Sequence, residues 1–133
     1  MTNVGSRRSA RERALALLYE ADAKGQSPAR VLSDVPVEPE PFVVTMIEGV
    51  EANGASIDAL ITSHAFDWTL DRMPVIDRTL LRMATFELLV LDDVPTAVAI
   101  SEAVDLAKQY STDESGRFVN GVLAAIATEV RAD

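Results

Sequence analysis

The chain has 133 residues, a net charge of −9 and no cysteine. Its length is enough for one domain, and the lack of cysteine excludes proteins stabilised by disulfides or by cysteine-bound zinc. Hydrophobic residues make up 48% but aromatic residues only 5%, which is typical of helices packed through aliphatic side chains. The acidic balance argues against general nucleic-acid binding, and we find neither an apolar run of ~20 residues nor a signal peptide, so we expect a protein of the reducing cytoplasm, outside the membrane.

The first predicted helix runs from Arg8 to Lys24, and Gly25 ends it. Beside its apolar stripe, about one third of the circumference carries a basic and aromatic set: Arg7, Arg8, Arg11 and Tyr19. Residues 1–24 contain five basic and three acidic groups, whereas residues 25–67 contain one and seven. A basic segment on an acidic body predicts a small, directed contact with a polyanion and acidic surface for a basic partner.

Proline, glycine and capping residues bound the remaining predicted helices. In chain order these run from Pro28, capped by Ser27, to about Asp34; from Phe42 to Asn53, closed by Gly54; from Ser56 onwards; from Pro74 to about Leu91; from Pro95 to Tyr110; and from Ser115 or Gly116 onwards. Three prolines within residues 35–41 predict an extended connector, and residues 68–73 a short turn or irregular bridge. We find no alternating strand pattern, so the predicted fold is all-α, a compact bundle of about seven helices.

Glu87 is the charged residue that interrupts the apolar stripe of the long central helix, which it shares with Leu80 and Met83. A carboxylate pointing into a core is tolerated only if it is paired or hydrogen-bonded. It could be a catalytic acid or a structural acceptor. Because no second acid or histidine lies at a spacing that completes a catalytic pair, the pattern favours a structural buried acid. Its partner would be backbone N–H donors at a neighbouring helix start or loop, or an arginine reaching round the helix, either Arg78 or the less well oriented Arg82.

Catalytic and ligand motifs are missing from the chain. It has no glycine-rich phosphate loop, no GxSxG and no HExxH. The single histidine, His64, has no cysteine or second histidine near it, so we expect a surface or satisfied core residue. We therefore expect a binding protein with no enzymatic activity, no cofactor and no metal.

Residues 95–123 combine an amphipathic helix, a polar loop and a basic, aromatic and amide-bearing cluster that opens the last helix. Within this cluster Arg117, Phe118 and Asn120 offer charge, stacking and hydrogen bonding within one helical turn, which is typical of a recognition surface. The alternative for Phe118 is a core position at the start of a helix.

Three ordered blocks of the chain resemble the NusB family of transcription antitermination factors. The blocks are residues 7–12 (RRSARE) with 14–20 (ALALLYE), residues 77–88 (DRTLLRMATFEL), and residues 98–108 (VAISEAVDLAK) with 117–123 (RFVNGVL). The resemblance implies two small helical bundles around a central helix. We expect these sub-bundles at about residues 6–66 and 67–133 of a single RNA-binding domain.

The resemblance also implies a function and the residues for it. It implies binding of single-stranded boxA RNA in nascent ribosomal RNA transcripts together with NusE, a small-subunit ribosomal protein, in a complex with NusA, NusG and RNA polymerase. The residues implied for RNA are Arg7, Arg8, Arg11, Arg117, Phe118 and Asn120. Those implied for NusE are Tyr19, Asp71 and Asp77, and we expect Tyr19 and Asp77 on accessible helix faces.

Two other interpretations stay open at this point. The same helical domain occurs as an RNA-binding appendage of RNA cytosine methyltransferases, but that enzyme needs a nucleophilic cysteine and the chain has none. A structural helical oligomer is the second, since some members of the family form homodimers that could hide the RNA-binding face.

Overall fold

The computed structural model describes the backbone of residues 4–131 and the side chains of residues 7–131. In chain order it has α1 (Val4–Lys24), α2 (Pro28–Ser33), α3 (Pro41–Ala52), α4 (Gly54–His64), a short 3₁₀ turn (Leu70–Arg72), α5 (Val75–Val90), α6 (Thr96–Tyr110) and α7 (Asp113–Val130). Residues 4–131 contain no β-strand, and the all-α prediction is confirmed. None of the described helices is both long and apolar enough to cross a membrane.

Several helix boundaries follow from residues that act within a single turn. Gly25 ends α1 with φ +63°, the left-handed conformation that glycine adopts without a steric penalty. The hydroxyl of Ser27 accepts the backbone N–H of Arg30 at 3.1 Å and caps α2, whose first residue is Pro28. Pro74 and Pro95 likewise lie immediately before α5 and α6.

Two predicted helix starts are wrong. The fourth helix begins at Gly54 rather than after a Ser56 cap, because the Ile57 N–H already donates to the Asn53 carbonyl at 2.9 Å. The last helix begins at Asp113, because the Thr112 hydroxyl accepts the Ser115 N–H at 3.0 Å and caps the first turn.

The chain divides into two compact units, Met1–Ala52 and Asn53–Asp133. The division therefore precedes α4 instead of lying near residue 66. The physical reason is that α4 packs on α5 and α7 and so belongs with the C-terminal helices. In the first unit α1, α2 and α3 pack on one another.

Each unit has its own set of buried aliphatic side chains. In the first unit the most completely buried include Ala14, Val43, Met46 and Ile47. In the second they include Ile57, Ile61, Leu80, Leu81, Met83, Leu88, Leu106, Leu123 and Ile126. Helix α5 is in contact with α4, α6 and α7, which explains why so much of its circumference is apolar.

Candidate nucleic-acid interface

The basic residues of α1 do not form a uniformly exposed patch. The guanidinium carbon of Arg7 lies 4.3 Å from the centroid of the Phe42 ring, and that of Arg11 lies 5.3 Å from the same centroid. These are cation–π distances, so both arginines help to hold α3 on α1. Arg11 is only 3% exposed, whereas Arg7 and Arg8 are half-buried. Arg11, predicted beside Arg7 and Arg8 on a basic helix face that contacts RNA, is therefore buried rather than at the surface, and the ring of Phe42 lies against it.

Tyr19 and Asp71 are accessible, as a contact with a partner requires. Tyr19 is 44% exposed on α1, and Asp71 is exposed on the 3₁₀ turn of the second unit. The Thr69 hydroxyl donates a hydrogen bond to the Asp71 carboxylate and is the main reason that the pKa of Asp71 is lowered, and Arg72 and Arg78 act in the same direction.

Asp77 differs from these two acids. It lies in the first turn of α5 and is only 3% exposed, so its expected place on an accessible helix face is wrong. Asp77 is the buried residue of this turn, whereas Val75, Ile76 and Arg78 beside it remain partly exposed. Within the described residues the Oδ1 atom of Asp77 is buried and has no hydrogen-bond partner.

The first turns of α7 present the predicted recognition cluster. Arg117 and Asn120, one helical turn apart, are both exposed. Phe118 is half-buried and meets the edge of Trp68, with the ring centroids 6.1 Å apart and the ring planes at 61°. Phe118 is thus neither a simple core residue nor a free aromatic. Its contact with Trp68 joins α7 to the segment before the 3₁₀ turn.

A hydrogen-bonded corner fixes where α7 starts. The Thr112 hydroxyl caps the helix, and the Ser115 hydroxyl lies 2.8 Å from that of Ser111 and 3.1 Å from that of Thr112. Lys108 on α6 crosses the same corner: a Cβ added to Gly116 would lie 2.8 Å from the Lys108 Cγ atom. Lys108 therefore adds an exposed basic residue next to the cluster.

The second unit also contains a cavity of about 300 Å³ beside the Trp68–Phe118 pair. Its lining combines aromatic, acidic and hydroxyl groups: Trp68, Met73, Pro74, Asp77, Thr112, Glu114, Ser115 and Phe118. Neither Trp68 nor Lys108 was among the site residues predicted from the sequence. A tryptophan in a chain with so few aromatic residues was the available signal for the first.

Glu87 is 2% exposed, as its place on the apolar stripe predicts. Of the two arginines considered as its partner, Arg82 instead forms a two-pronged ion pair with Asp58 on α4, at 2.9 and 3.2 Å. Arg78 donates to the carbonyl oxygens of Leu70 and Met73, each at 3.3 Å.

Arg131, which sequence reasoning missed, closes the end of α5 that contains Glu87. Its guanidinium donates at 2.6–3.1 Å to five oxygens at the end of α5 and the start of α6: the carbonyls of Glu87, Leu88, Leu91 and Val94 and the hydroxyl of Thr96. These carbonyls lie in the last turn of α5 and the loop after it, where a helix end leaves acceptors short of donors; those of Glu87 and Leu91 each accept one further backbone N–H. Arg131 is therefore a side-chain cap for α5.

The described residues show no group of histidine, cysteine or carboxylate side chains that could hold a metal ion. His64 lies at the end of α4 with its Nε2 atom 2.8 Å from a carboxylate oxygen of Glu129 on α7. That contact ties two helices of the second unit together.

The family model described as "NusB family" matches residues 8–128. The chain belongs to the NusB family. A transcription antitermination protein NusB from Kineococcus radiotolerans is 48% identical over 128 residues, covering 93% of this chain and 94% of that protein. Several further relatives with the same name are 46–52% identical.

Solved NusB structures have the same fold. The NusB structure from T. maritima superposes with a TM-score of 0.86 at 35% identity and covers 97% of this chain and 94% of that one. A crystal structure of the antitermination factors NusB and NusE with double-stranded RNA contains a chain that superposes with a TM-score of 0.82 at 27% identity, covering 96% of this chain and 99% of that one.

Proposed function

We propose that this protein is a transcription antitermination factor, and not an enzyme, that binds RNA together with a NusE-like ribosomal protein. The observation that carries the proposal is its likeness, over nearly its whole length, to a NusB chain solved with NusE and RNA. Relatives matched over about nine tenths of their length are named as antitermination proteins, which does not favour a methyltransferase appendage.

The RNA contacts are proposed at basic, aromatic and polar side chains of each unit that are exposed or half-buried. In the first unit these are Arg8 and Arg7, and the buried Arg11 contacts the same Phe42 ring as Arg7. In the second unit they are Arg117, Phe118 and Asn120, with Lys108 beside them. Arginine and lysine neutralise phosphates, while aromatic rings and amides read unstacked bases, so both clusters suit a single-stranded RNA such as boxA.

The partner is proposed on chemical grounds as a basic ribosomal protein. The net charge of −9 leaves an acidic surface that would attract such a protein and speed its association. Tyr19 and Asp71 are accessible for the contact, whereas the buried position of Asp77 removes it from our list of surface residues. Assembly with NusA, NusG and RNA polymerase on nascent transcripts would follow in the cytoplasm. A homodimer is a further assembly that the same exposed faces could form.

The direct test is a fluorescence-anisotropy titration with a labelled boxA RNA and with the same nucleotides in scrambled order. We expect tighter binding of boxA and a fall in affinity with salt, since phosphate neutralisation releases counterions. Arg8→Ala and Arg117→Ala should each lower the salt slope by about one unit. A matched control is Arg30→Ala, which removes an exposed arginine on α2 outside both clusters. Equal affinity for both RNAs, or no binding, would contradict the proposal.

A further inference from the structure

We propose that the cavity beside Trp68 and Phe118 receives one unpaired nucleobase and selects bases that carry an exocyclic amino group. The inference rests on the proposed RNA binding and identifies the part of the RNA that the second unit takes. The cavity's volume of about 300 Å³ is at the lower end of the range of small-ligand pockets, which suits a single base better than a larger ligand.

The aromatic wall of the cavity is built from two separate segments. Trp68 and Phe118 meet edge to face, and Trp68 remains 48% exposed, so its ring has surface left for stacking. The turn that carries Trp68 is fixed by its backbone: Asp67 adopts φ 65°, and the Trp68 N–H donates to the Ala65 carbonyl at 3.1 Å. Aromatic rings held in this way are the platforms on which single-stranded bases stack.

Asp77 supplies the polar group of the cavity. Its Oδ1 atom is buried without a hydrogen-bond partner among the described residues, and a buried acceptor left in this state is both rare and unfavourable. The buried hydroxyl of Thr85 also has no hydrogen-bond partner among the described residues, but Thr85 does not line the cavity. A ligand that donates an N–H to Asp77 would therefore supply the hydrogen bond that its Oδ1 atom lacks.

The chemistry of that donor favours particular bases. Cytosine, adenine and guanine each carry an exocyclic amino group whose N–H a carboxylate can accept, whereas uracil offers only one ring N–H. A lysine or arginine of a protein partner could also meet Asp77. We favour a base because Arg117 is exposed next to Phe118, where it would attract a phosphate and repel a cationic side chain.

The experiment uses the only tryptophan of the chain as its reporter. Because that residue is Trp68, emission excited selectively at tryptophan, and not at the two tyrosines, reports on the surroundings of this cavity. The full chain is titrated with short dye-labelled oligo(C), oligo(A) and oligo(U), with total binding followed by dye anisotropy. We expect oligo(C) and oligo(A) to bind more tightly than oligo(U) and to quench Trp68.

Variants separate recognition of the base edge from stacking. Asp77→Asn keeps the shape but replaces one acceptor by a donor, so we expect the preference for oligo(C) over oligo(U) to fall by about tenfold. Trp68→Ala should weaken all three oligonucleotides. Phe66→Ala is the matched control, since Phe66 is 79% exposed on the same segment and does not line the cavity. If Asp77→Asn does not fold, the comparison of Trp68→Ala with Phe66→Ala still tests the cavity, since equal oligonucleotide affinities of these two variants would contradict the proposal.

The outcomes distinguish this inference from the proposed function. If anisotropy shows RNA binding but Trp68 is not quenched and the three oligonucleotides bind equally well, the base-binding cavity is ruled out and RNA binding itself is not. No RNA binding at all would overturn both. Emission that responds to NusE but not to RNA would assign the cavity to a basic side chain of the partner and contradict the proposal.

Discussion

The guanidinium of Arg11 lies against the ring of Phe42, 5.3 Å from its centroid, and only 3% of Arg11 is exposed. The arginines of α1 thus have different roles although they are close in sequence. Arg11 is part of the packing between α1 and α3, Arg7 contacts the same ring while half-buried, and Arg8 is half-buried outside this stack.

Arg11→Ala should lower the free energy of unfolding by about 1–2 kcal/mol, because a desolvated cation–π contact and the packing of the arginine stem are both lost. Arg8→Ala, its control on the same helix, should change stability little and weaken RNA binding instead. Urea unfolding followed by circular dichroism measures the first effect, and RNA titration the second. An Arg11→Ala protein of unchanged stability that loses RNA affinity as Arg8→Ala does would contradict this division.

Arg131→Ala should be strongly destabilising for the replacement of a polar residue that is only half-buried. It would remove donors from the carbonyls of Glu87, Leu88, Leu91 and Val94 at the end of α5, so we expect a loss of about 2–3 kcal/mol. Lys24→Ala is the comparison, since it breaks only an exposed ion pair with Glu20 and should cost under about 1 kcal/mol. Thermal unfolding of the two variants side by side checks the prediction, and equal midpoints would refute the capping role.

Glu87→Ala should lower stability by about 1–3 kcal/mol, because donors that meet the buried carboxylate would be left in the core. RNA binding by the folded protein should stay close to that of the parent, since the role is architectural. Both quantities are measured on one preparation, by urea unfolding and by anisotropy. Full stability combined with lost RNA binding would show that Glu87 acts at the interface.

Thr69→Ala should raise the pKa of Asp71 towards its ordinary value of 3.8, because the Thr69 hydroxyl is the main cause of its lowering. A pKa lowered in the folded state means that the charged form favours folding. That contribution is present above about pH 3.8 and is lost as the pH falls through the folded-state pKa. An NMR pH titration of the Asp71 carboxyl carbon in both proteins measures the change, and identical titration curves would rule out the hydrogen bond as the cause.

Sequence patterns predicted the features that depend on neighbouring residues. Gly25, Ser27 and Pro28 act within one turn, so the sequence alone was enough to predict the end of α1 and the start of α2. The periodicity of α5 likewise placed Glu87 inside the protein.

Features that depend on distant residues were not readable in this way. Asp77 is buried in a helix covered on several sides, and the cavity that it lines includes residues of α7 more than thirty positions away. Arg11 has the spacing of a surface arginine, but Phe42 of another helix covers it. Helical spacing gives the side of a helix on which a residue lies, whereas burial depends on what packs against that side.

The central claim, that this protein binds RNA jointly with a ribosomal partner, is tested most directly by measuring boxA affinity with and without saturating NusE. We predict that NusE tightens boxA binding, and that Asp71→Lys, by weakening NusE binding, raises the NusE concentration needed for this gain while boxA binding without NusE is unchanged. The reciprocal measurement, NusE affinity with and without boxA, must show the same factor. A boxA affinity that is identical in the presence and absence of NusE, with the scrambled RNA binding equally well, would contradict the account.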